Sequence, residues 1–151
     1  MSTPFSDQQR REIEHDCTML MHRYAVNADH HIDRFHEVFT KDALWVRPGM
    51  EMRGHAEIQG FMDANLAAMR AEKPSGQLTR HMITTVRIDV ADIDRAQGVT
   101  YALVFRDADY TGALPVAMNQ IELLVEYRDE FRPTSLGWRI SRHEAQFIFK
   151  R

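Results

Sequence analysis

The sequence predicts an α+β fold in which helices come first and a mostly antiparallel sheet follows. Three observations indicate this order. Apolar residues recur at helical spacing through the first half of the chain, and period-two alternation dominates from Leu78 onward. The connections between the later strand-like runs are short, whereas parallel strands need crossovers of a dozen residues or more. At 151 residues, the chain is expected to form one domain, residues 1–151.

The first half is predicted to contain three helices and a hairpin. Ser6 and Gln9 have the spacing of a capping box, which opens a helix from Asp7 to about Ala28. The further expected elements are a second, short helix from Ile32 to Phe39 ended by residues 40–42, a strand from Ala43 to Val46, its hairpin partner from Met50 to Arg53, and a third helix from His55 to about Ala71.

The second half is predicted to form four strands. They are Leu78–Val90, Gln97–Asp107, Val116–Glu130 and Gly137–Phe149. Because these runs exceed the usual strand length of about 5–6 residues, a strongly bent sheet is more plausible than a small flat one. In the first run, unbroken alternation places His81, Ile83 and Thr85 on the face opposite Met82.

Composition and motifs exclude several classes of protein. The net charge of −3 does not indicate a nucleic-acid partner, and no apolar run reaches the length of a membrane span. The N-terminus lacks the pattern of a signal peptide, and the single Cys17 excludes an internal disulfide, so we expect a cytoplasmic protein. His30, His31 and His36 lack the spacing of a metal site, and nucleotide-binding glycine motifs are missing. No cofactor and no metal are therefore expected.

Five stretches of the chain carry a resemblance to a known family. They are Tyr24–Asp29, Phe39–Ala43, Arg53–Ile58, Thr79–His81 and Gly137–Arg142. With the order of elements, they resemble the SnoaL-like group of small lyases and isomerases within the nuclear-transport-factor-2-like superfamily. The resemblance implies a cone-shaped α+β barrel, in which three N-terminal helices pack on a strongly curved, mostly antiparallel sheet that encloses a pocket.

The resemblance also implies catalytic residues. Several enzymes of the group pair an aspartate at the end of the first helix with a histidine on the first long strand, here Asp29 and His81. A carboxylate that accepts a hydrogen bond from one imidazole nitrogen leaves the other nitrogen as a base. Without the resemblance, His81 is more simply a surface or satisfied core histidine, and Asp29 a helix-terminating residue.

Tyr24 and Arg142 are expected, by the same resemblance, to assist as polarising or anchoring groups. Tyr24 alternatively belongs to the apolar stripe of the first helix. Arg142 shares strand parity with Trp138 and Ile140, which predicts an inward side chain that needs a carboxylate or an anionic substrate group. An internal ion pair is the alternative for Arg142.

The expected function is that of a cofactor-independent lyase or isomerase acting on a flat or bulky hydrophobic substrate. The residues expected to line its pocket, or else to be plain core, are Trp45, Phe61, Met62, Phe105 and Met118. The alternative function is a non-catalytic ligand-binding or assembly subunit, like the β subunits of ring-hydroxylating dioxygenases. Leu124 leaves an apolar residue on the outer face of the sheet, so a homodimer through that face is expected.

Overall fold

A computed structural model describes residues 5–117 and 121–151. Within these residues, two α-helices, one 3-10 helix and six strands follow one another. They are α1 (Asp7–His30), the 3-10 helix (Ile32–Val38), β1 (Phe39–Arg47), β2 (Met50–Arg53), α2 (Gly54–Glu72), β3 (Leu78–Asp92), β4 (Arg95–Asp107), β5 (Ile121–Thr134) and β6 (Gly137–Lys150). The predicted α+β class, with its helices before the long strands, is confirmed.

Helix α1 begins with the capping box that its sequence predicts. The Ser6 hydroxyl accepts the backbone N–H of Gln9, and the Gln9 side chain accepts the backbone N–H of Ser6. The helix continues past Ala28 to His30, so Asp29 lies in its last turn rather than in a loop. This extension fixes the direction of the Asp29 side chain.

Several predicted boundaries are wrong. The second helix ends at Val38, and residues 40–42 lie in β1 rather than in a turn. The strand predicted to end at Glu130 continues to Thr134, because the turn to β6 needs only residues 135 and 136 before Gly137, whose φ is 97°. Of the predicted start of this strand, Val116 and Ala117 are irregular, and residues 118–120 lie outside the described part.

The six strands form one open sheet in the order β2-β1-β6-β5-β4-β3. All neighbouring pairs are antiparallel apart from β1 and β6, which run parallel. The rule of short connections did not predict this parallel pair, because β1 and β6 are far apart in the chain and no single connection joins them. The helices cover the concave face, where Phe35, Phe39 and Phe131 are almost completely buried.

Two β-bulges reverse the parity of strands β3 and β6. Thr84 is the extra residue of β3 opposite β4, so His81 before it and Val90 after it both face the interior. Ser141 is the extra residue of β6 opposite β5, so Ile140 before it and His143 after it are both fully buried. Each bulge therefore moves the side chains that follow it, up to the next register shift of the strand, to the face opposite the one that simple alternation predicts.

Within the described residues, no helix is long and apolar enough to cross a membrane.

Candidate active site

A cavity of about 1000 Å³ lies between the concave face of the sheet and helices α1 and α2. Large apolar side chains form much of its wall, among them Phe35, Trp45, Phe61, Met62, Leu123 and Phe147. Exposed residues such as Arg70 and Glu72 also line it, so the cavity reaches the surface near the end of α2. Its size and mixed lining are those of a site for a small organic molecule.

Asp29 and His81 meet at the wall of this cavity. The Asp29 Oδ1 atom lies 2.6 Å from His81 Nδ1, and Oδ2 accepts the backbone N–H of His81 at 2.8 Å. The side chain of Asp29 is 6% exposed and that of His81 is 18% exposed. One carboxylate thus fixes both the strand backbone and the ring of His81, while the ring keeps access to the cavity.

This geometry selects one tautomer of His81. An ionised carboxylate can only accept hydrogen bonds, so the bond to Asp29 places a proton on Nδ1. Nε2 makes no hydrogen bond within residues 5–117 and 121–151 and remains an acceptor. His81 therefore has the arrangement of a general base whose imidazolium form Asp29 can stabilise.

Tyr24 lines the same cavity, and so does Tyr127, which the sequence prediction missed. Their ring centroids are 5.3 Å apart. Burial raises the pKa of both phenols above the usual value, so the hydroxyls stay protonated at neutral pH and can donate hydrogen bonds. Tyr127 follows Val125 at period two on β5, and this alternation was the signal that could have identified it.

The expected position of Arg142 is wrong. Arg142 is not part of the cavity wall, and its guanidinium pairs with Glu144 on the outer face of the sheet at 3.0 Å. The bulge at Ser141 explains this position. Because Ser141 is an extra residue in the strand, Arg142 points to the face opposite that of Ile140. The arginine that the structure places beside the cavity aromatics is Arg47, two residues after the buried Trp45 on β1.

The five expected pocket residues have three different outcomes. Trp45, Phe61 and Met62 line the cavity. Phe105 does not, because its neighbour Val104 points inward and Phe105 has the opposite parity. Met118 lies outside the described residues.

A second histidine–aspartate pair, missed by the sequence prediction, is buried in the core. His143 Nδ1 and Asp129 Oδ1 are 2.5 Å apart, and both side chains are 0% exposed. Burial raises the pKa of Asp129, and the neighbouring His143 opposes that shift. Asp129 lies two residues after Tyr127 on β5 and therefore faces the interior. A carboxylate in the interior needs a partner, and this was the signal that could have identified the pair.

Across the described ranges, no group of three or more His, Cys, Asp or Glu side chains is placed to hold a metal ion. His36 instead contacts Gln59, with 2.8 Å between Nδ1 and Oε1, and His55 Nε2 lies 2.9 Å from the carbonyl oxygen of Phe39. These histidines join the 3-10 helix and β1 to α2.

Solved structures with the same fold include several proteins of low sequence identity. An NTF2-like protein with a cystatin-like fold from Novosphingobium aromaticivorans has a TM-score of 0.74 at 22% identity, covering 93% of this chain and 85% of its own. A proposed scytalone dehydratase from the same organism has a TM-score of 0.76 at 17% identity, covering 97% and 91%. A hexachlorocyclohexane dehydrochlorinase has a TM-score of 0.74 at 19% identity, covering 97% and 92%.

No curated protein sequence matches the chain. The family model of the SnoaL-like domain, however, matches residues 9–144. That range includes nearly all of α1, the whole of the 3-10 helix and α2, strands β1 to β5, and residues 137–144 of β6. The predicted resemblance is thereby confirmed, and the chain belongs to the SnoaL-like family.

Proposed function

We propose that the protein is a cofactor-independent lyase or isomerase in which His81 is the general base and Asp29 its positioning partner. The observation that carries the proposal is the double hydrogen bond from His81, through its backbone N–H and Nδ1, to one carboxylate at the wall of a large cavity. Such a pairing holds the ring in the tautomer and orientation that proton abstraction requires.

The chemical step begins with transfer of a proton from the substrate to His81 Nε2. The electron pair of the broken C–H or O–H bond moves into the substrate and develops negative charge on an oxygen. In a lyase, this pair expels a leaving group from the neighbouring carbon: a halide, after which the imidazolium releases its proton to solvent, or a hydroxyl, which takes the proton back from the imidazolium and leaves as water. In an isomerase, the imidazolium returns the proton to a different carbon. In this proposal Tyr24 and Tyr127, which line the same cavity, are the candidate donors for the developing oxyanion.

The substrate class follows from the cavity wall. Aromatic rings come from four separate elements, since Phe35, Trp45, Phe61 and Phe147 all line the cavity. Flat apolar molecules such as aromatic, polyketide-like or steroid-like compounds can pack against these rings. The two structural relatives named for dehydratase and dehydrochlorinase activity carry names of elimination reactions, which is consistent with this chemistry.

The alternative hypothesis is a non-catalytic binding or assembly subunit. A His81 without a nearby carboxylate, or an interior filled by side chains, would favour this alternative. Asp29 instead lies within hydrogen-bond distance of His81, and about 1000 Å³ of the interior is empty of protein atoms. Both observations support the enzymatic proposal over the rival.

The proposal can be tested before the substrate is known. Cyclic ketones fused to an aromatic ring are incubated with the protein in D₂O, and exchange of their carbon-bound protons is followed by NMR. We expect His81→Ala to lower the exchange rate at least ~100-fold, the low end for a positioned base. His15→Ala is the matched control, because His15 is exposed and remote from this cavity. Wild-type exchange in a folded His81→Ala variant would contradict the proposal.

We also propose that the protein forms a homodimer through the outer face of the sheet. Met82, Leu103, Leu124 and Phe149 form one cross-strand row on that face. Met82 is 53% exposed and Phe149 is 70% exposed. Light scattering at micromolar concentration should give the mass of a dimer, and Phe149→Lys should shift it toward the monomer. A monomeric wild-type mass would reject the dimer.

A further inference from the structure

Arg47 occupies an unusual position for a charged side chain. It lines the cavity from β1, and the carbon at the centre of its guanidinium lies 5.4, 5.0 and 5.9 Å from the ring centroids of Trp45, Phe61 and Phe147, respectively. The rings belong to β1, α2 and β6. Three elements therefore hold one cation at the apolar wall.

Arg47 also has no carboxylate partner. Within the described part of the chain it takes part in no salt bridge and no side-chain hydrogen bond, and the residues outside that part carry no carboxylate side chain. Arg106, which lines the same cavity, pairs with Glu122 at 3.1 Å. Aromatic faces replace part of the hydration of a guanidinium, but they do not accept its in-plane hydrogen bonds.

The positive charge of Arg47 acts on the polar part of the cavity. Burial is the main cause that raises the pKa of Tyr24 and of Tyr127, and Arg47 opposes this rise in both phenols. Asp29 adds to the rise in Tyr127. Tyr127 thus lies within the electrostatic influence of both Arg47 and the carboxylate that positions His81.

A hydrogen-bond donor beside Arg47 is also unused. The indole N–H of Trp45 is buried and has no hydrogen-bond partner among the described residues. A buried donor without a partner is unfavourable, because it has lost its hydrogen bonds to water. The indole N–H is enclosed by protein atoms, so the Arg47 guanidinium, which lines the cavity, is the donor of this pair that a ligand oxygen can reach.

We propose that Arg47 is a specificity-determining residue that binds an anionic oxygen, a carboxylate or an ionised phenol or enol, carried by a flat aromatic ligand. The ligand ring packs against Phe61 and Phe147, and its anionic oxygen accepts hydrogen bonds from the guanidinium. This inference extends the proposed function by adding a negative charge to the substrate class. The binding that it describes does not require catalysis by His81.

The test compares two probes of the same shape, 2-naphthoate and 2-naphthalenemethanol. Their dissociation constants are measured by calorimetry at pH 8 for the wild type, Arg47→Gln and Arg106→Gln. We expect the wild type to prefer the naphthoate, and Arg47→Gln to weaken naphthoate binding about 10-fold or more, as for loss of a charge-assisted hydrogen bond. Binding of the neutral alcohol should stay unchanged. Arg106→Gln is the matched control and should keep the preference for the anion.

Arg47→Lys is the second variant, because it keeps the charge and the aliphatic stem but loses the planar fork. It should weaken naphthoate binding less than Arg47→Gln does, and it decides the question if Arg47→Gln fails to fold. An unchanged preference for the anion in the folded Arg47 variants would overturn the proposal. The proposal would also be overturned if Arg106→Gln, rather than the Arg47 variants, lost the preference for naphthoate. A wild type that binds neither probe, or binds both equally, would overturn it as well.

His81→Ala separates this inference from the proposed function. The variant should keep the wild-type preference for naphthoate, because His81 is not the anion anchor. If His81→Ala retains proton exchange while Arg47→Gln loses the anion preference, the base assignment fails and the anchor stands. If His81→Ala loses exchange and Arg47→Gln binds naphthoate like the wild type, the anchor fails and the base stands.

Discussion

The protein contains two histidine–aspartate pairs that differ in access rather than in chemistry. In both, a carboxylate oxygen contacts the Nδ1 atom of the histidine. The Asp29–His81 pair joins the end of α1 to β3 at the cavity wall, and its ring is 18% exposed. The Asp129–His143 pair joins β5 to β6 in the core, and both its side chains are 0% exposed.

The surroundings of the second imidazole nitrogen distinguish the pairs. His81 belongs to the cavity wall, where Nε2 can receive a substrate proton. His143 is enclosed by aromatic rings, with centroids of Tyr24 and Tyr127 at 4.8 and 4.6 Å, and its buried Nε2 has no partner among the described residues. The comparison teaches that two pairs with the same contact differ in whether the free nitrogen is accessible from a cavity. The proposed function assigns the role of base to the accessible pair.

The largest expected effect is on turnover at the exposed pair. Asp29→Asn offers one oxygen and one amino group, so it cannot accept both the backbone N–H and the Nδ1–H of His81. If the amino group donates to Nδ1, the proton of His81 moves to Nε2 and the base is lost. We expect turnover to fall by about 100-fold, somewhat less than or equal to the loss in His81→Ala.

The double variant sharpens this prediction. Asp29→Asn combined with His81→Ala should be little worse than His81→Ala alone, because residues that act as one unit are not additive. Thermal unfolding should show only small stability changes in all three variants. Multiplicative losses of turnover in the double variant would show that the two residues act separately.

The next effect is on stability at the buried pair. Asp129→Ala leaves His143 buried without its partner, and we expect the free energy of unfolding to fall by about 3 kcal/mol. Replacing both residues, as Asp129→Leu with His143→Phe, should be less destabilising than the single change, because no unpaired polar group remains. Urea unfolding measures both. Asp89→Ala, in an exposed pair with Arg87, is the control and should have little effect.

A smaller effect is expected at Cys17, which reports on the charge of the buried pair. Burial raises the pKa of this thiol to about 12, and the charges of Asp16 and Asp129 add to the rise. The resulting stability is present below the ordinary value of 9.0 and is lost as the pH rises through about 12. The wild type should therefore lose stability relative to Cys17→Ala in this range.

The rate of iodoacetamide alkylation gives a second readout of the same thiol. It should be much slower in the native protein at pH 8 than in the unfolded protein, since the thiolate is the nucleophile. Asp129→Asn should lower the pKa of Cys17. Native alkylation as fast as that of the unfolded chain would contradict the burial of this thiol.

The smallest expected effect is that of metal removal. In the proposed mechanism His81 takes the proton directly, so exhaustive dialysis against a chelator should leave the exchange activity unchanged. Loss of activity that one divalent ion restores would assign the chemistry to Lewis-acid catalysis and weaken the comparison between the two pairs.

The sequence predicted much of the fold and part of the candidate site. The helix with its capping box and the hairpin around Gly49 follow from local patterns, which act within a few residues. The family resemblance identified Asp29 and His81, which the structure brings together. Strand alternation could also have identified Arg47. It lies two residues after Trp45 on β1, so its side chain is on the same face of the strand.

What the sequence by itself determined is the class and order of the elements, because periodicity and capping are local properties of the chain. Only the tertiary structure decided which side chains of the long strands face the cavity. The bulges at Thr84 and Ser141 arise from register with neighbouring strands, and each reverses the parity that follows it. The bulge at Ser141 is the reason that Arg142 lies on the outer face and His143 lies in the core.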